Sequence, residues 1–141
     1  APNVSVASWY CIEPDSRCGD SRLVDGRGIV NELDPETREA LSNTFIRYPI
    51  YKRIKTEVHP ILSNSGDEWK IYYTSWLLLD NYSAKQRSAV ELFQQALLAQ
   101  PEIRIGLGKR ESLFVDNTRM LHGRCEIPFD SNRYLYRIHL G

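Results

Sequence analysis

One segment of the chain reads clearly as a long helix, and strand-like sequence brackets it on both sides. Ser83 with Gln86 three residues on has the capping-box form, and Val90, Phe93 and Leu97 then recur at helical spacing beside Ala89 and Ala96. Pro101 stops the run. After it come three short segments rich in β-branched and aromatic residues, at 103–107, 112–115 and 134–138. Before it, residues 3–12 read as one or two strands, Pro14 to Asp20 as turn chemistry, and Ser21 to Asp25 as a short strand closed by Gly26. The two strands are expected to be joined as a hairpin with a long loop. Asp34 is a suitable N-cap for a helix with Pro35 at its first position and Glu36 in its first turn, running to about Ser42. Thr44 to Tyr48 and Glu68 to Tyr73 read as strands, whereas residues 51–65 give no secure pattern. Strands outnumber helices, and the helices sit between them. That pattern favours an antiparallel β core with peripheral helices.

With 141 residues, the chain is expected to form a single domain spanning 1–141. Lysines and arginines number 18 and so do aspartates and glutamates, which removes the electrostatic case for a nucleic-acid or acidic-membrane partner. The longest greasy run, Trp76 to Leu79, is far short of the roughly 20 residues of a membrane span. Cys11, Cys18 and Cys125 are odd in number and lack CxxC spacing, which argues against a disulfide framework or thiolate zinc site. Three reduced thiols suit a cytoplasmic protein.

Of the three histidines, His122 has the most suggestive surroundings. A strand ending at Val115 runs into the polar turn Asp116-Asn117-Thr118-Arg119, and His122 precedes Gly123, which would let backbone or ligand come close. Beyond lie Arg133 and Arg137, four apart, so on a strand both guanidiniums point to one face. Two inward arginines call for an anion, most simply a carboxylate held bidentately. The other reading of the pair is a solvent-facing strand with acidic partners. Cys125 lies near His122 in sequence, which leaves a cysteine hydrolase as a weaker alternative.

The run Asp116-Asn117-Thr118-Arg119-Met120-Leu121-His122-Gly123-Arg124, followed by Arg133 and Arg137, resembles the C-terminal signature of the TauD/γ-butyrobetaine hydroxylase family. These are the Fe(II)- and 2-oxoglutarate-dependent dioxygenases that include clavaminate-synthase-like enzymes. Upstream, Cys18-Gly19-Asp20-Ser21 and the strand to Asp25-Gly26 resemble that family's Gly-Gly-(Asp/Glu)-Thr turn. The resemblance covers most of the chain, with a divergent centre from about Tyr48 to Asp80. It implies a double-stranded β-helix, or jelly roll. It also implies His122 as the distal, catalytic iron ligand, Ser21 and Arg133 as the grip on 2-oxoglutarate, and Arg137 as a contact for an anionic substrate.

The chain departs from the family in being about half its usual length, in carrying Cys18 where the family's turn has its first Gly, and, more seriously, in its iron ligands. No His-x-Asp or His-x-Glu occurs in it, although the family's iron takes two ligands from such a pair. In the family that pair precedes the turn matched by Ser21, at a distance that would place it before Ala1. The expectation is therefore an incomplete jelly roll, the C-terminal portion of an oxygenase core. The enzyme would use O₂ and 2-oxoglutarate to hydroxylate a small anionic or amino-acid-like substrate. The rival is a metal-free jelly-roll binding module without oxygenase activity.

Overall fold

The computed structural model describes residues 4–17, 19–49 and 56–140. They divide into two compact units. Asp25 to Gln100 forms one; the segments through Val24 and from Pro101 onward form the other.

The second unit is built from two three-stranded sheets. In the first, β1 (Val6–Glu13) lies between β8 (Ser112–Asp116) and β10 (Tyr134–Leu140), antiparallel to both. In the second, β2 (Ser21–Asp25) lies between β7 (Ile103–Ile105) and β9 (Met120–Arg124). Because β1 and β2 belong to different sheets, the link between them is a crossover and not the hairpin expected from sequence. The same holds for β8 and β9.

Alternation fixes the faces of the first sheet. Ala7, Cys11 and Val115 are buried on one side, whereas Phe114, Tyr134, Tyr136, Ile138 and Leu140 are exposed on the other. The register pairs Trp9 with Arg137 and Cys11 with Leu135, and then shifts between Cys11 and Glu13. In the second sheet Arg22 stands directly opposite Arg104, and Glu102 accepts from both guanidiniums, which offsets their repulsion.

The other unit packs three helices with two strand pairs. α1 (Gly26–Glu32) follows β2 directly, capped by Asp25, whose carboxylate accepts from the Arg27 N–H at 3.0 Å. Gly26 and Gly28 hide this helix in the sequence, since glycine is a poor helix former. α2 (Pro35–Ser42) starts where the Asp34-Pro35 signal puts it, with Asp34 accepting from Thr37. α3 (Ala84–Ala99) has the full reciprocal capping box between Ser83 and Gln86. β3 (Phe45–Pro49) pairs with β4 (Thr56–Pro60), and β5 (Leu62–Ser65) with β6 (Glu68–Ile71). Phe93, Ile29, Leu41, Ile61 and Leu62 are fully buried here, and Phe93 also meets the Tyr73 ring at 4.8 Å.

Candidate functional site

The site lies in the two-sheet unit, where Trp9 of one sheet meets His122 of the other. The turn between β8 and β9 sets His122 in place. Burial alone would raise the Asp116 carboxyl, yet the Thr118 hydroxyl and the Thr118 and Arg119 N–H groups donate to it and hold it below its ordinary value. That Asx-type turn delivers β9 with the imidazole against the Trp9 ring, centroids 5.0 Å apart and planes at 74°. Asn117 Oδ1 lies 3.0 Å from His122 Nε2. Burial, helped by the positive field of Arg137 and by His139, pulls the His122 pKa down to about 4. The ring is therefore neutral at physiological pH, as a metal ligand must be.

Arg137 stands across the strand pair from Trp9 and lays its guanidinium over the indole, 5.6 Å from the ring centroid. It is exposed, as is His139 two residues on. Arg133 precedes β10 and is only partly exposed. Its side chain lies on Gly19, where φ is +79° and an added Cβ would come 2.7 Å from both Cδ and Nε. Glycine is required there twice over, for the turn and for the arginine resting on it. Loop contacts hold the approach to Arg133. Its N–H donates to the Ser131 hydroxyl at 3.2 Å, and Arg17 joins Asp15 and Asp130. The Arg17 guanidinium and N–H keep the Asp15 carboxyl well below the usual carboxylate range.

Cys11, fully buried, faces this region. Burial pushes its thiol up, and the Arg133 charge opposes that rise. Ser21 is buried at the start of β2, two residues past Gly19. Among the described residues, neither Arg133 nor Arg137 has a carboxylate within ion-pair distance. The structure thus places Arg133 with the Gly19 turn that leads to Ser21, and Arg137 with Trp9 and His122.

Sequence reasoning passed over Trp9 and Asn117. Asn117 carried a signal, since it falls inside the quoted motif. Trp9 carried none, because its role comes from register across β10. No described backbone comes close to Gly123, for a Cβ there would meet nothing within 4 Å. Cys125 keeps different company from His122: it lies near Arg22 and Arg104, and is a free thiol like Cys11. The reading of Cys18 falls outside the described residues. His59 belongs to the other unit, beside Glu57 at 3.5 Å and Tyr72.

Among the described residues no group of three or more His, Cys, Asp or Glu is placed to hold a metal ion. One imidazole does not retain a labile divalent cation, so these residues do not by themselves make an iron site.

Comparison with known structures gives the class of the fold: it is that of the non-heme iron oxygenases, an incomplete jelly roll. An asparagine oxygenase, solved with Fe(II), 3-hydroxyasparagine and succinate, superposes with TM-score 0.78 at 20% identity. The match covers 95% of this chain and 44% of that one. A putative α-ketoglutarate-dependent taurine dioxygenase from Burkholderia xenovorans gives 0.76 at 18% identity, covering 97% and 54%. The non-heme iron oxygenase OrfP, solved with Fe and α-ketoglutaric acid, gives 0.75 at 15%, covering 97% and 44%. The chain therefore spans about half the length of these proteins. No curated protein matches it in sequence. The family model of the taurine catabolism dioxygenase TauD, TfdA family matches residues 5–139, and the chain belongs to that family. No helix among the described residues is long and apolar enough to cross a membrane.

Proposed function

We propose that these 141 residues are the C-terminal portion of the core of an Fe(II)- and 2-oxoglutarate-dependent dioxygenase. In this reading His122 is one of the three protein ligands to iron, the remaining two coming from sequence that precedes Ala1 in the complete enzyme. Arg133 and Ser21 grip the distal carboxylate of 2-oxoglutarate. Arg137, exposed over Trp9, meets a small anionic or amino-acid-like substrate. The free thiols of Cys11 and Cys125 suit a cytoplasmic enzyme.

The observation that carries the reading is Arg133. A partly buried guanidinium with no carboxylate partner among the described residues is costly unless an anion completes it. It lies on the turn that presents a buried hydroxyl two residues later. A hydroxyl and a planar fork are suited to one carboxylate. The chemistry asked of this chain is to bind and orient: a carboxylate at Arg133 and Ser21, and a neutral imidazole at His122.

The test separates the two arginines in the complete enzyme. Losing the partner of a buried carboxylate costs about 2–5 kcal/mol, roughly 30-fold to several-thousand-fold in affinity. Arg133→Ala should raise the KM for 2-oxoglutarate by that factor and slow its decarboxylation even without primary substrate. Arg137→Ala should spare that uncoupled reaction and blunt the response to substrate. The reverse pattern would exchange their roles and remove the support for an anionic substrate.

A further inference from the structure

Trp9 sits on the most firmly held strand of its sheet. β1 is the central strand, so the Trp9 backbone is flanked on both sides, by Leu113 of β8 and by Arg137 of β10. Its indole packs against the His122 ring with centroids 5.0 Å apart and planes at 74°, which fixes the plane of the indole. The Arg137 guanidinium lies over that indole, 5.6 Å from the ring centroid and within reach of its quadrupole. This attraction draws on the charge of the cation and leaves its N–H donors unspent. Among the described residues no carboxylate lies within ion-pair distance of Arg137, and no hydrogen-bond acceptor holds it. Its neighbours on the same face of β10 are Leu135 and His139, and neither carries a carboxylate. An exposed arginine is ordinarily free to take many rotamers, and ordering it costs entropy that a ligand has to overcome. An arginine already held over a ring on a central strand has given up part of that freedom before any ligand arrives.

We propose that Trp9 is a positioning residue whose indole pre-orders the Arg137 guanidinium, so that its free N–H fork receives a carboxylate of the substrate. The chemical class follows from the donors: two coplanar N–H groups match the two oxygens of one carboxylate. That the carboxylate belongs to a substrate rests on the oxygenase reading. The hold of Trp9 on Arg137 follows from strand register and the ring contact alone.

The experiment is ¹H–¹⁵N NMR on the ¹⁵N-labelled 141-residue chain, following the Nε–H signals of Arg137 and Arg133 separately as succinate is added as a carboxylate probe. In the parent, the Arg137 Nε–H should be displaced upfield by the ring current of the indole and should move further as succinate binds. Trp9→Leu keeps apolar bulk and removes the ring. The upfield displacement should then vanish, and succinate should bind at Arg137 about two- to five-fold more weakly, with the Arg133 response unchanged. Trp9→Phe restores a ring face and should recover part of both effects. If Trp9→Leu fails to fold, the displacement in the parent and its response to succinate still decide the matter. A parent Arg137 signal without upfield displacement overturns the proposal; so does one that succinate leaves unmoved, or an equal affinity at Arg137 in the parent and a folded Trp9→Leu. A complete enzyme whose 2-oxoglutarate affinity survives Arg133→Ala would count against the oxygenase reading and leave the hold of Trp9 on Arg137 untouched.

Discussion

Burial of His122 should make the chain lose stability as the solution turns mildly acidic. The ring's pKa is about 4 in the folded chain against an ordinary 6.5. Burial is the main cause, with Arg137 and His139 adding to it. A lowered folded pKa means that unfolding takes up a proton between those two values. The stabilisation is therefore complete above pH 6.5 and is lost as the pH falls toward 4. A gap of about 2.5 units at 1.36 kcal/mol each sets a ceiling of about 3.4 kcal/mol. The ring is partly open to water, and screening reduces this to about 1–2 kcal/mol. Carboxylates held below their ordinary values, such as Asp34, Asp116 and Glu102, lose their contributions only at lower pH. His139, also lowered by burial and Arg137, adds in the same direction and needs its own control. The assay is urea unfolding of the parent, His122→Gln and His139→Gln between about pH 7.5 and 4.5. The parent should lose about 1–2 kcal/mol more than His122→Gln across that range. Equal slopes in the two proteins would mean that His122 is not held neutral in the folded chain.

Gly19→Ala should destabilise the chain by about 1–3 kcal/mol, because its φ is positive and the new Cβ would strike Arg133; thermal unfolding reads this. Phe93→Ala, a fully buried ring, should cost about 3–5 kcal/mol in denaturant unfolding. Isothermal titration of the 141-residue chain with Fe(II) or Mn(II) should show only weak binding, since no three ligating side chains come together among the described residues; a tight one-to-one site would mean that further donors lie within the chain. In the complete enzyme, Arg133→Lys should restore part of the 2-oxoglutarate affinity lost in Arg133→Ala, because an ammonium cannot reproduce the planar fork.

Local chemistry made much of this fold legible. Ser83 with Gln86 and Asp34 with Pro35 start their helices by side-chain hydrogen bonds to nearby N–H groups, so the sequence alone places them. The Gly26-Arg27-Gly28 start of α1 was not legible, because its Asp25 cap has to offset two residues that disfavour helix. β4 and β5 were also missed: they lie in a stretch without alternation, where pairing with β3 and β6 decides the structure. The two-sheet arrangement was legible only as a class. Which strand joins which sheet is set by long-range pairing, and this is why the expected link between β1 and β2 became a crossover. For the site, the motif singled out His122, Arg133, Arg137 and Ser21, whereas Trp9 emerged only from its register opposite Arg137.

The most direct test of the account is succinate formation from 2-oxoglutarate by the complete enzyme, supplied with Fe(II) and O₂, compared with its His122→Ala variant. If His122 is an iron ligand, the parent should produce succinate only when Fe(II) is present, and the variant should lose that activity while keeping its fold by circular dichroism. A folded His122→Ala variant that still turns over 2-oxoglutarate at the parent rate would show that His122 is not an iron ligand.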